Sequence, residues 1–153
     1  MDEWTKVIRL GEMEFQVKMN SRRLAGMLDK VWQSIPVSDR NEISNRLTVV
    51  SDDSILRFIL ADGSYGIDGR DLYGCAVPHT DNNHFVFLNA SALRHKSAGF
   101  CRYIIAHELA HVWRNHRGGE NPQHEAEADE TAVRWGYTNP DPLKIETVEE
   151  MPA

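Results

Sequence analysis

One stretch in the first third of the chain carries apolar residues three and four positions apart, the spacing of a single helical face. This pattern predicts a helix over residues 21–33, and Pro36 shortly after it is typical of a helix stop. A shorter helix that opens on Ser38 is predicted over residues 38–47. The apolar face of the first helix consists of Leu24, Met27, Leu28, Val31 and Trp32.

Short apolar runs bounded by turn residues predict several β-strands. Residues 7–10 and 13–17 flank Gly11-Glu12 and should pair as a small hairpin. Asp62-Gly63 provides a turn signal further along the chain. The later strands are predicted over residues 48–50, 55–60, 74–77 and 85–88.

The pattern changes to helix from about residue 98. Residues 100–115 are apolar on two opposite sides, which indicates a helix buried in the core. After a polar loop, Pro122 suits a first helical turn, and a second helix is predicted over residues 123–135 with Gly136 as its left-handed cap. The order of helix, several strands, buried helix, short loop and helix predicts an α+β fold.

Length and composition are those of one globular domain, because 153 residues with 41% hydrophobic and 26% charged side chains can bury a real core. We expect this domain to span residues 1–137. The tail over residues 138–153, with three prolines and several glutamates, should be loosely ordered. A formal net charge of −6 without a basic patch argues against a nucleic-acid partner.

The N-terminal residues are acidic where a secretory signal would be basic, and no apolar run reaches the length of a membrane span. Cys75 and Cys101 form neither a CxxC pair nor a disulfide framework, which favours a reduced intracellular setting. We therefore expect a cytoplasmic protein with no membrane partner. Its oligomeric state stays open.

The sequence HELAH occupies residues 107–111, inside the predicted buried helix. Because positions four apart share a helical face, His107 and His111 can both present imidazole nitrogens to one metal ion. Glu108 lies about 100° round the helix from His107, where a general base for a metal-activated water would stand. A catalytic zinc needs three protein ligands and an open position, so a third ligand is expected elsewhere.

The second helix offers that third ligand. Glu125 and Asp129 are four residues apart on one helical face, so Glu125 can bind the metal while Asp129 hydrogen-bonds the outer nitrogen of a ligand histidine. Glu127 points to another side of the helix and is expected to be solvated. His116, His124 and Glu127 remain the alternative ligands.

HELAH followed by a Glu-x-x-x-Asp helix is similar to the gluzincin clan of zinc metallopeptidases, and the Glu-x-x-Ala-Asp form resembles minigluzincins and ImmA/IrrE-type proteins. The resemblance covers residues 107–136. It implies a zincin-like fold with an N-terminal helix, a small mixed β-sheet, a buried HExxH helix and a helix with the glutamate ligand. Carried over to matching positions, it implies Zn²⁺ ligands at His107, His111 and Glu125, a general base at Glu108 and a histidine-orienting carboxylate at Asp129.

The competing metzincin class continues the motif as HExxHxxGxxH. This chain has Arg114 at the glycine position and Arg117 at the third histidine, which excludes that class.

The expected function is therefore zinc-dependent hydrolysis of peptide bonds in a peptide or protein substrate, with Glu108 as general base. The alternative is a zinc-binding regulatory or interaction protein with little or no peptidase activity. Tyr103, one turn before His107, and Tyr137, after the second helix, are candidates for stabilising the oxyanion. Residues 85–89 are a candidate edge strand that a peptide could extend, with an ordinary core strand as the other interpretation.

Overall fold

The computed structural model describes residues 6–8, 15–52, 73–78, 83–117 and 121–140, and this part of the chain has an α+β fold, as predicted. Its strands are β1 (Lys6–Ile8), β2 (Gln16–Met19), β3 (Leu47–Ser51), β4 (Gly74–Pro78) and β5 (His84–Leu88). Its helices are α1 (Arg22–Ser34), α2 (Val37–Arg46), α3 (Ala90–Leu93), α4 (Ala98–Trp113) and α5 (Pro122–Arg134).

The strands form one mixed sheet in the order β1-β2-β3-β5-β4. β1 and β2 pair antiparallel, which confirms the pairing of the predicted hairpin. β3 runs parallel to both β2 and β5, and β4 pairs antiparallel with β5. Of the two interpretations of residues 85–89, the core strand is the one that the structure shows, because β5 is hydrogen-bonded on both sides. Among the described strands, β4 and β1 are the outer ones.

Several predicted features lie outside the described residues: the turns at Gly11-Glu12 and Asp62-Gly63, the strand over residues 55–60, and the tail beyond residue 140. No helix within the described ranges is long and apolar enough to cross a bilayer.

The first two helices follow the predicted pattern closely. The Ser21 hydroxyl accepts a hydrogen bond from the Leu24 N–H at 3.1 Å, which caps the start of α1. α2 begins at Val37 rather than at Ser38, because the Pro36 carbonyl already accepts the N–H of Arg40 at 2.9 Å. The apolar face of α1 is buried against β2 and α4, with Leu24, Leu28, Val31 and Trp32 almost fully covered.

The short helix α3 is not predicted by the apolar pattern, since four residues are too few to show a period. The Asn89 side chain caps it by accepting the N–H of Ala92 at 3.1 Å. Arg23 on α1 donates to the carbonyl oxygens of Leu93 at 3.3 Å and Lys96 at 2.7 Å. These bonds tie the segment before α4 to the first helix.

α4 is the central helix of the molecule, and the prediction that it is buried is confirmed. It packs against α1, α2 and α5 and against β4 and β5. The Ser97 hydroxyl caps its first turn by accepting the N–H of Phe100 at 3.1 Å. It ends at Trp113, two residues earlier than predicted, because Asn115 takes a left-handed backbone with φ of 56°.

α5 begins and ends one residue earlier than the predicted 123–135, with the predicted residues at both ends. The Asn121 side chain accepts the N–H groups of Gln123 and His124, Pro122 occupies the first turn, and Gly136 after the helix has φ of 102°. The face toward α4 is made of small residues, with Ala128, Thr131 and Ala132 fully buried. Small side chains let the two helix backbones approach closely.

The end of β3 is joined to the start of α1 by one carboxylate. Asp52 is 8% exposed and accepts the N–H groups of Asn20 at 2.8 Å and Ser21 at 2.9 Å. The bonds close the β2–α1 turn onto the neighbouring strand.

Replacing Asp52 by alanine should lower the free energy of unfolding by about 2–3 kcal/mol, because two backbone donors lose a charged acceptor. Urea unfolding of D52A measures this, with D29A, at an exposed position of α1, as the matched control. Equal losses in the two variants would contradict a special role for Asp52.

Candidate metal centre

His107 and His111 lie on consecutive turns of α4 and point into the same space, as predicted. Each residue is only 8% exposed, and their Nε2 atoms are 3.2 Å apart. The two rings are nearly perpendicular, at 87°. Both imidazoles therefore direct the same nitrogen to one point.

Glu125 on α5 completes the group. Its Oε1 lies 2.9 Å from His107 Nε2, and its Oε2 lies 3.3 Å from His111 Nε2. Ligands about 2.0–2.2 Å from a tetrahedral zinc ion are roughly 3.3 Å from one another, so these separations are those of a ligand set. The residues on α4 and α5 thus form a group able to hold a metal ion.

The same geometry calls for a positive charge between the three side chains. Two neutral imidazoles whose Nε2 atoms face each other at 3.2 Å repel through their lone pairs unless a cation or a proton lies between them. Burial alone would lower the pKa of His107, but hydrogen bonds with Asp129 and Glu125 outweigh it and raise the pKa to about 10. Without metal, a proton on His107 takes that place.

Solvent reaches the group from the side of Glu125, since the Glu125 side chain is 51% exposed while the histidine side chains are 10% and 11% exposed. Burial would raise the pKa of Glu125, yet the hydrogen bond from His107 outweighs it and holds the pKa well below its usual range. The carboxylate is therefore ionised and reachable from solvent.

Asp129 stands behind His107, in the position predicted for it. Its Oδ1 lies 2.9 Å from His107 Nδ1 and also accepts the Tyr103 hydroxyl at 2.5 Å. Because Asp129 can only accept when ionised, His107 carries a proton on Nδ1 and turns Nε2 toward the centre. The Tyr103 hydroxyl donates to Asp129, and the Tyr137 hydroxyl lies 2.5 Å from Ser34 Oγ. Neither candidate oxyanion donor therefore points to the centre.

His111 is also supported from behind, by a pair of residues that sequence reasoning did not assign to this role. Its Nδ1 lies 2.9 Å from His116 Nδ1, and His116 Nε2 lies 2.8 Å from Glu127 Oε1. Glu127, expected to be solvated, is partly exposed, but its carboxylate also binds His116 and accepts the Gln123 amide at 3.1 Å.

His116, His124 and Glu127, the alternative ligands, do not join the ligand group. His116 stacks on His124 with ring centroids 4.0 Å apart and planes 7° from parallel. The left-handed turn at Asn115 brings His116 back beside His111, and the sequence signal for it is weak: an asparagine just past the end of the helix.

Glu108 lies on the side of α4 that faces the sheet. It is 5% exposed, and a Cβ added to Gly74 on β4 would come within 3.3 Å of its Cγ and 3.1 Å of the Phe87 carbonyl oxygen. Glycine at position 74 is what allows the strand to approach this carboxylate. Burial raises the pKa of Glu108, although the charge of His107 opposes the effect.

Comparison of the chain with protein-family models, with curated proteins and with solved structures gave no significant match. The case for the centre therefore rests on geometry: two buried histidines and a half-exposed glutamate converge, and each histidine has a partner on its outer nitrogen.

The metal-free protein should lose stability as the pH rises. His107 has a folded pKa of about 10 against an ordinary value of 6.5, so its contribution is fully present below pH 6.5 and is lost as the pH rises through 10. Urea unfolding with chelator present, repeated across this range, measures the slope. H107Q should flatten it, and H95Q, at an exposed position, should not. Identical slopes in wild type and H107Q would contradict the assignment.

Proposed function

We propose that this protein is a zinc-dependent metallopeptidase with a zincin-like fold of gluzincin type. The observation that carries the proposal is the convergence of His107 Nε2, His111 Nε2 and the Glu125 carboxylate. Glu108, adjacent to His107 in α4 and buried, lies outside this ligand set, and the charge of His107 acts on it. Two imidazole nitrogens and one carboxylate oxygen are a ligand set that zinc uses in catalytic sites, where a fourth position stays open. The exposure of Glu125 supports such an opening.

The proposed mechanism assigns each side chain one task. Bound zinc would supply a Lewis acid that polarises the scissile carbonyl and lowers the pKa of water toward ~7. Glu108 accepts the proton of the attacking water and passes it to the leaving amine. Burial raises the pKa of Glu108, which brings this pKa closer to neutral pH, where a general base is most effective. Asp129 and Tyr103 keep His107 in the orientation and tautomer that metal binding needs.

The outer strand of the sheet beside α4 is the proposed binding site for the substrate. Among the described strands, β4 is the outer one on the side of α4, and its Gly74 lies against Glu108. We propose that an extended peptide pairs with β4 rather than with β5, since β5 already has partners on both sides. Main-chain pairing of this kind would hold many sequences in the same register.

Glu108→Gln should reduce peptide hydrolysis by about 10²–10⁴-fold and keep the zinc, because the amide has the same shape but cannot accept the proton. A peptide-library digest with and without chelator measures the activity, and elemental analysis measures the metal. E130Q, at an exposed position of α5, is the matched control and should cleave normally.

Cleavage by E108Q at the wild-type rate would remove Glu108 from the base role. Zinc in the wild-type protein without any cleavage of the library would favour the alternative, a zinc-binding regulatory protein.

Glu125→Ala should weaken zinc binding by at least about 100-fold, because a lost ligand costs more than a lost outer partner. Competition with a chromophoric chelator measures the affinity, and E130A provides the control on the same helix. Unchanged zinc affinity in E125A would exclude Glu125 from the ligand set.

A further inference from the structure

We propose that His116 and Glu127 act as positioning residues for His111, fixing the tautomer in which its Nε2 can bind the metal. The inference rests on the proposed function, since it assigns a role toward the metal that His111 is proposed to bind. Its basis is a chain of two contacts: His111 Nδ1 to His116 Nδ1 at 2.9 Å, and His116 Nε2 to Glu127 Oε1 at 2.8 Å.

The direction of each hydrogen bond follows from the last member of the chain. An ionised carboxylate only accepts, so the proton of that contact belongs to His116 Nε2. Neutral His116 then has an acceptor lone pair on Nδ1, which lies 2.9 Å from His111 Nδ1. His111 therefore donates from Nδ1 and leaves its Nε2 without a proton, facing His107 and Glu125. Without this acceptor, His111 is free to carry its proton on Nε2, and a proton there removes the lone pair that would bind the metal.

The loop residue His116 is held in place from several directions. Its N–H donates to the His111 carbonyl oxygen at 3.0 Å, which fixes its backbone beside the end of α4. One face of its ring stacks on His124 at 4.0 Å. On the far side, Glu127 is fixed by the Gln123 amide at 3.1 Å and lies 3.8 Å from Arg114. This much support is what an orienting group requires.

Carboxylates of α5 thus orient both ligand histidines, one directly and the other through a second ring. His107 meets a carboxylate of α5 directly, at Asp129, whereas His111 reaches one through the ring of His116. Three acidic residues of α5, at alternate positions, then serve the centre: Glu125 on the metal side, Glu127 behind His111 and Asp129 behind His107.

The decisive variants are H116F and H116N, with H95Q as the control. Phenylalanine keeps a ring that can stack on His124 but has no acceptor for His111, so H116F should bind zinc about 10–100-fold more weakly, the usual cost of a lost outer partner. Asparagine restores an acceptor near the position of Nδ1, so H116N should recover most of the affinity. H95Q changes an exposed histidine outside this chain of contacts and should bind zinc as the wild type does. Competition with a chromophoric chelator measures all three.

A second measurement needs no zinc. Two-bond ¹H–¹⁵N spectra of the metal-free, histidine-labelled protein report which nitrogen of His111 carries the proton. We expect Nδ1–H in the wild type and a shift toward Nε2–H in H116F. A His111 protonated on Nε2 in the wild type would overturn the proposal, as would H116F binding zinc with wild-type affinity. Absence of zinc binding by the wild type would instead refute the proposed function, while the tautomer still tests the His116 contact.

Discussion

The burial of α4 is the constraint on which the rest of the structure depends. This helix is covered by three other helices and by two strands, yet it carries His107, Glu108 and His111 in the middle of its apolar surface. Buried polar groups cost several kcal/mol when they lack partners, so the surroundings must provide them. α5 does this for the two histidines, and it approaches closely because Ala128 and Ala132 form the contact between the helices.

Charge balance explains why so many acids gather on one side of the centre. Glu125, Glu127 and Asp129 all reach imidazoles of α4 or of the loop behind it, while Glu108 contacts the sheet. The acids on α5 favour a cation between the histidine rings, whether that cation is a proton or a metal ion.

Features set by residues close together in the sequence were predictable, whereas features set by distant contacts were not. Helix α4, the shared face of His107 and His111, and the placing of Glu125 and Asp129 were predictable, because helical period and four-residue spacing are local properties. The internal position of β5 was not, since strand order depends on contacts distant in the chain. The pairing of His116 with Glu127 was not predicted for another reason. The left-handed backbone of Asn115 changes the direction of the chain, and helical periodicity does not predict such a change.

The connection between α4 and α5 has a consequence for assembly. All the side chains of the proposed centre lie within residues 103–129, on two helices joined by a short loop, whereas the sheet needs parallel pairing between β2, β3 and β5, which are far apart in sequence. Local contacts form sooner than distant ones because less loop entropy is lost in closing them. The topology therefore favours early formation of the α4–α5 hairpin, and a metal ion bound to the proposed centre would stabilise that hairpin.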